Sequence, residues 1–210
     1  MGIRNIWLDP AVPVILRSSV TSPFGRKLRM AAIELGLADR ITREHADTLD
    51  AQDTLRLQNP LGKLPCLLIG DHVFYDSWVI LDLFDDLAGR DRLFPAKGMA
   101  RYHVLTRAKL ADGITDAALL MVYEGRFRDS LSPRWLDHQT GKIHRALADF
   151  EAQPPAVRAD IVGITLACAL GYLDWRAPVA WREDHPTLVT WFEHFAQVVP
   201  SFSQTERTNA

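Results

Sequence analysis

The sequence predicts an α/β domain followed by an all-helical domain. Up to Arg90, short apolar runs alternate with helically spaced ones in the order β-α-β-α-β-β-α. Arg90 to Gly98 then holds charges, a Pro and a Gly, as linkers do, and no convincing strand run follows it. The 210 residues divide into a first domain over 11–90 and a second over 98–203, each able to bury a core.

In the first domain, Val12-Pro13-Val14-Ile15-Leu16 reads as a short buried strand after a start with no clear pattern. Phe24, Leu28, Ala31, Ala32 and Leu35 then recur at helical spacing. Ser22 is a natural N-cap, Pro23 stands at the first helical position, and Gly36 is a natural stop. Ile41 to His45 reads as a second strand and Thr48 to Leu57 as a short polar helix. After the turn residues Asn59-Pro60-Leu61-Gly62, Pro65 to Ile69 and His72 to Tyr75 form a hairpin around Gly70-Asp71. A helix opens at Asp76-Ser77, with Ile80, Leu81, Phe84 and Leu87 on one face.

In the second domain, Ile114, Ala117, Ala118 and Met121 repeat helically within a long segment from about Ala100 to Phe127. Ser132-Pro133 opens a helix to about Ala152, and Pro154-Pro155 breaks the chain. Asp160 caps an apolar helix ending near Trp175, and Pro186 starts a last one through Val198.

Composition excludes several function classes. Hydrophobic residues at 48% and charged residues at 24% are ordinary for a globular chain and exclude disorder, collagen and coiled coil. There are 10 basic and 12 acidic residues through Arg90, and 14 of each after it. No basic half exists to neutralise a phosphate backbone, which argues against nucleic acid as a partner. The longest uncharged apolar stretch, Ile161 to Leu173, is 13 residues, short of the ~20 a bilayer needs. With no secretory pattern at the start either, the expected address is cytoplasmic, without a membrane partner. Cys66 and Cys168 sit in apolar runs and read as small buried hydrophobes. The seven histidines make no i,i+4 pair and no zinc spacing with cysteine, so no metal is expected.

Three local features of the first domain carry chemistry. Ser22 caps a helix directly after a strand, where its hydroxyl serves orphan backbone N–H groups or a ligand at a partly positive helix end. Gly62-Lys63-Leu64-Pro65 leads into a buried strand, and a cis peptide at Pro65 would present the Leu64 backbone to the surface. Tyr75-Asp76-Ser77 turns a strand into a helix, where N–H groups and the Ser77 hydroxyl suit a carboxylate. Taken singly, each reads first as an ordinary cap or turn.

Their order and spacing is more specific. TSPFGRKLRMAA, then NPLGKLPCLL, then FYDSWVILDLF, then a helical domain resembles the soluble glutathione S-transferase superfamily, over about Val12 to Phe202. ALADGITDA, LACALGYLDWR and the SFSQTER tail are similar to its bacterial YibF-like group. The resemblance implies a thioredoxin-like first domain with a cis-proline at Pro65. Leu64 would pair its main chain with the cysteinyl part of glutathione, as an added strand does. Asp76 and Ser77 match the acidic-Ser pair that receives the γ-glutamyl end, and Lys63 a position near the glycyl carboxylate. Ser22 matches the residue that, in serine-type members, points at the glutathione sulfur. Its implied role is hydrogen-bond donor to the thiolate, with Ser19 and Thr21 as neighbouring hydroxyls able to take its place. Phe24 and Asp112 are further candidates, Asp112 either to reach the glutathione amine or as part of a solvated or helix-to-helix face.

The resemblance thus implies a homodimeric glutathione transferase whose helical domain supplies an apolar pocket for a small electrophile. A non-catalytic binding or regulatory relative is the alternative. A thiol-disulfide oxidoreductase is a third reading, opposed by Ser22 standing where cysteine-type relatives carry Cys. Gly163 also departs from the pattern, since many relatives place Asp there in a capping box. That departure bears on stability rather than chemistry.

Overall fold

The computed structural model describes residues 2–207. The chain forms two compact units. One runs up to Leu93 and takes in the chain again from Gln204, and the other is Phe94–Ser203.

The first unit is a thioredoxin-like sheet with helices. Strands β1 (Val14–Ser18), β2 (Thr42–His45), β3 (Cys66–Ile69) and β4 (His72–Tyr75) line up in the order β2-β1-β3-β4. β1 is parallel to β2 and antiparallel to β3, and β4 is antiparallel to β3. Directly opposed residues share a face. Val14 and Leu16 therefore lie beside Ile69 and Leu67 on one face, and Ile15 and Arg17 beside Leu68 and Cys66 on the other. Helices α2 (Pro23–Glu34) and α4 (Ser77–Leu87) pack on each other and supply Leu28, Ala31, Ile80, Leu81 and Phe84 to the core. On the Arg17 face, α3 (Leu55–Gln58) brings Leu55 into a small cluster with Ala46, Cys66 and Leu64.

Besides a single 3-10 turn at Ala38–Arg40 and a short helix at Pro200–Gln204 beyond the expected last one, three elements differ from the sequence expectation. A short helix, α1 (Ile3–Leu8), forms where no pattern was legible. Trp7 packs edge-on against Phe84 with ring centroids 6.5 Å apart, Arg4 donates to the Leu87 carbonyl at 3.0 Å, and Arg40 donates to the Trp7 carbonyl at 3.1 Å. Contacts far along the chain hold this helix. Strand β1 is displaced toward Ser18 because Arg17, polar in sequence, is paired inside the fold. The expected helix over Thr48 to Leu57 shrinks to α3. Asp47, Asp50 and Asp53 each accept the backbone N–H two residues on, at 2.9, 2.8 and 2.7 Å, and such turns compete with helix.

The second unit is all helical: α5 (Gly98–Phe127), α6 (Pro133–Ala152), α7 (Ile161–Arg176), α8 (Pro186–Val198) and α9 (Pro200–Gln204). α7 is buried along most of its length and packs along α5, which also packs on α6, while α8 packs on both α6 and α7. Asp160 accepts from Val162 N at 3.1 Å and Gly163 N at 2.9 Å, so one carboxylate caps the helix. Gly163 answers a close approach, since a Cβ there would stand 2.2 Å from the Arg158 carbonyl oxygen. Gly163→Ala is therefore expected to cost about 2 kcal/mol or more, read by urea denaturation. A change below about 0.5 kcal/mol would contradict this packing. No helix of the described residues is long and apolar enough to cross a membrane.

Candidate functional site

Strand register brings the three sequence features together. β1 ends at Ser18, and its Arg17 lies opposite Cys66, the first residue of β3. Cys66 in turn lies opposite Tyr75, the last residue of β4. The chain therefore leaves β1 toward Ser22, enters β3 from Lys63-Leu64-Pro65, and leaves β4 at Asp76-Ser77, all at one end of the sheet. The segment after β2 leaves from the same end, because β2 is parallel to β1.

Ser22 is the N-cap of α2, half-buried, with extended backbone. Its Oγ accepts the Gly25 N–H at 3.1 Å, which leaves the hydroxyl proton to be donated elsewhere. The neighbouring hydroxyls of Ser19, half-buried, and Thr21, exposed, are engaged with each other at 3.1 Å. Phe24 lies on the first turn of α2 and Trp78 on the first turn of α4. The Lys27 ammonium sits over both rings, 5.4 and 4.7 Å from their centroids, and the side chain is only 1% exposed. A full positive charge thus lies close to the first turns of two helices that already favour anions.

The Leu64–Pro65 peptide is cis. The turn before it is held by Asn59, which is 1% exposed. Its Nδ2 donates to the Lys63 carbonyl at 2.8 Å, its Oδ1 accepts from Leu61 N at 3.0 Å, and its own carbonyl accepts from Gly62 N at 2.8 Å. Gly62 takes φ +60°, a conformation that suits glycine. The Lys63 side chain is exposed. Asp76 also has positive φ, 72°, with ψ 126°, outside the left-handed helical region and uncommon in a residue with a side chain. Its carboxylate caps α4 through Trp78 N at 2.8 Å, with Ser77 buried behind it.

Reading the sequence missed a buried ion pair at this end of the sheet. Arg17 donates to Asp53 Oδ1 at 2.7 Å, Gln58 Oε1 at 2.8 Å and Thr54 Oγ1 at 2.9 Å. Asp53 also accepts Asp47 N at 2.8 Å and Leu55 N at 2.7 Å. Those two backbone donors, helped by the Arg17 guanidinium, hold its carboxyl below the ordinary range against the opposing effect of burial. The aspartates at 47, 50 and 53 were the available signal, since this spacing makes turns as readily as a polar helix. Cys66 adjoins the site but is fully buried, and burial pushes its thiol up, the reverse of a reactive cysteine.

In the helical unit, Asp112 is 3% exposed and accepts from Lys109 Nζ at 2.7 Å, so it lies on no solvated face. Among the described residues no group of three or more His, Cys, Asp or Glu could hold a metal ion.

Comparison with known proteins places these features in context. A family model described as "Glutathione S-transferase, N-terminal domain" matches residues 21–87. The chain is 34% identical over 206 residues to the uncharacterized GST-like protein YibF of Escherichia coli K12, covering 93% of this chain and 99% of that one. A glutathione transferase family member from Pseudomonas fluorescens Pf-5, solved with bound glutathione, is 40% identical with a TM-score of 0.85, over 93% of this chain and 99% of that one. A glutathione S-transferase from Methylobacillus flagellatus, also solved with glutathione, is 28% identical with a TM-score of 0.84, over 93% and 100%.

Proposed function

We propose, from the premise that the chain belongs to the glutathione S-transferase family, that it transfers glutathione to small electrophiles through a thiolate held by Ser22. The observation that carries this reading is the convergence of Ser22, Leu64-Pro65 and Asp76-Ser77 at one end of the sheet. Relatives solved with bound glutathione support the choice of tripeptide.

In this reading the Leu64 main chain pairs with the cysteinyl residue, Lys63 meets the glycyl carboxylate, and Phe24 borders the sulfur. The Asp76 carboxylate and the Ser77 hydroxyl take the γ-glutamyl ammonium and carboxylate. Because the Ser22 Oγ already accepts Gly25 N–H, its own proton is free to be donated to sulfur. A free thiol has pKa near 8.5, and a helix N-terminus with such a donor lowers it by one to a few units. Each unit is about 1.4 kcal/mol, enough to make thiolate the main species at pH 7. The thiol proton goes to solvent. The thiolate then attacks an electrophilic carbon, the C–S bond forms, and a leaving group such as chloride departs with its bonding electrons.

The helical domain, 98–203, is assigned the electrophile, the working form is taken to be a homodimer, as the family resemblance implies, and its address to be the cytoplasm. Calorimetry with glutathione, followed by turnover of a chlorodinitrobenzene, tests the proposal. Micromolar to millimolar binding with glutathione-dependent release of chloride is the expected result. Binding without turnover of any electrophile would assign the chain to the non-catalytic reading, and no binding would remove both.

A further inference from the structure

We propose that Asn59 is a positioning residue for glutathione, whose side chain sets the peptide plane through which Leu64 pairs with the cysteinyl main chain. The inference rests on the assignment of Leu64 to that pairing. It adds the residue that aims the pairing groups.

Asn59 follows the last residue of α3 and is 1% exposed. Its N–H donates to the Leu55 carbonyl at 2.7 Å, which ties it to the helix. The helix is fixed in turn. Gln58 accepts from Arg17 at 2.8 Å, and Leu55 packs in one cluster with Leu64. From this anchor the Asn59 amide reaches forward along the chain. Oδ1 accepts the Leu61 N–H at 3.0 Å, and Nδ2 donates to the Lys63 carbonyl at 2.8 Å. One neighbour is a donor and the other an acceptor, so the amide fits only one way round.

The first of these bonds is the ordinary side-chain turn of an asparagine, closed on the N–H two residues on. The second reaches past that turn to the residue just before Leu64. Its consequence follows from peptide planarity. Leu64–Pro65 is the one cis peptide among the described residues, so Lys63–Leu64 is trans. In a trans peptide the C=O and N–H point in opposite directions. Holding the Lys63 carbonyl against buried Asn59 therefore turns the Leu64 N–H away from Asn59.

Among the described residues nothing accepts the Leu64 N–H and nothing donates to the Leu64 carbonyl. Main-chain groups of a half-buried residue call for partners. A donor and an acceptor on one residue, left open beside the start of β3, suit an extended peptide added as a strand. Without the Asn59 bond the Lys63–Leu64 peptide is free to rotate, and the Leu64 donor loses its aim.

The test is calorimetry of the full chain with S-methylglutathione, which keeps the tripeptide main chain and has no thiol, in wild type and Asn59→Ser. Serine still accepts the Leu61 N–H in a weaker turn and is too short to reach the Lys63 carbonyl. Binding is expected to weaken about tenfold, the size of one main-chain hydrogen bond. In conjugation KM for glutathione should rise by the same factor, with kcat within about twofold of wild type. The bound thiol should titrate as in wild type, which separates Asn59 from Ser22. A lower urea midpoint with an unchanged dissociation constant would make Asn59 merely structural and overturn the inference.

Wild type supplies a second readout should the variant fail to fold. In an amide NMR spectrum, S-methylglutathione is expected to shift the Leu64 N–H and the Asn59 side-chain amide together. Either one left in place by the bound ligand would overturn the inference. A wild type that binds neither tripeptide removes this inference and the transferase reading together. Conjugation by wild type beside equal binding in Asn59→Ser removes this inference alone. Weakened binding in the variant with no turnover in wild type upholds Asn59 and leaves the non-catalytic reading.

Discussion

Replacing Ser22 by Ala is expected to lower kcat/KM for conjugation about a hundredfold at pH 7, with the deficit shrinking as pH rises. The Ser22 hydroxyl accepts one backbone N–H and is left one proton to give, and the proposed recipient is the glutathione sulfur. Without that donor the thiol titrates higher, so less of it is thiolate at neutral pH and more is recovered in alkali. Loss of the cap itself costs about 1 kcal/mol, too little to unfold the chain, and the α2 N-terminus stays in place. Ser22→Thr, which keeps a hydroxyl, should retain most activity. Initial rates between about pH 6 and 9 check this. A loss that is the same at every pH, or smaller than about threefold, would remove Ser22 from the chemistry.

The second large effect is on stability. Arg17→Met is expected to cost about 3 kcal/mol or more, because the Asp53 carboxylate then loses its cation in a largely buried place. Thr54 and Gln58 lose their donor as well, so the segment from β2 to α3 loosens at the same end of the sheet as Ser22. The pH dependence has a definite sign. Asp53 is held below its ordinary range, so the unfolded chain binds its proton first. Its contribution is complete above the unfolded value near 3.9 and fades as pH falls through that value toward the lower folded one. Asp53→Asn should therefore be less stable than wild type at pH 7 and lose less on acidification. Urea denaturation at a series of pH values measures both. Parallel acid profiles for the two proteins would show that Asp53 is not held by its neighbours.

The parts of the fold that were legible in the sequence are those written locally. Ser22 before Pro23, Asp160 before an apolar helix, and the Gly70 turn between two apolar runs each signal their structure within a few residues. The same holds for Leu64-Pro65 and Asp76-Ser77, and the cis peptide is present at Leu64–Pro65. What escaped was set by partners distant in the chain. Arg17 fell outside the expected strand, which ended at Leu16, because its partners Asp53, Thr54 and Gln58 lie more than thirty residues on. Lys27 carries no local sign of burial, because Trp78, under its ammonium, belongs to another helix. Helix α1 had no visible pattern because Phe84 and Arg40 hold it, not its own periodicity.

The most direct measurement is a titration of the thiolate ultraviolet absorbance of glutathione bound to wild type and to Ser22→Ala. A bound thiol that ionises below about pH 7.5 in wild type, and at least about one unit higher in the variant, is the predicted result. A bound thiol that titrates near the free value of about 8.5 in both proteins would contradict the role of Ser22.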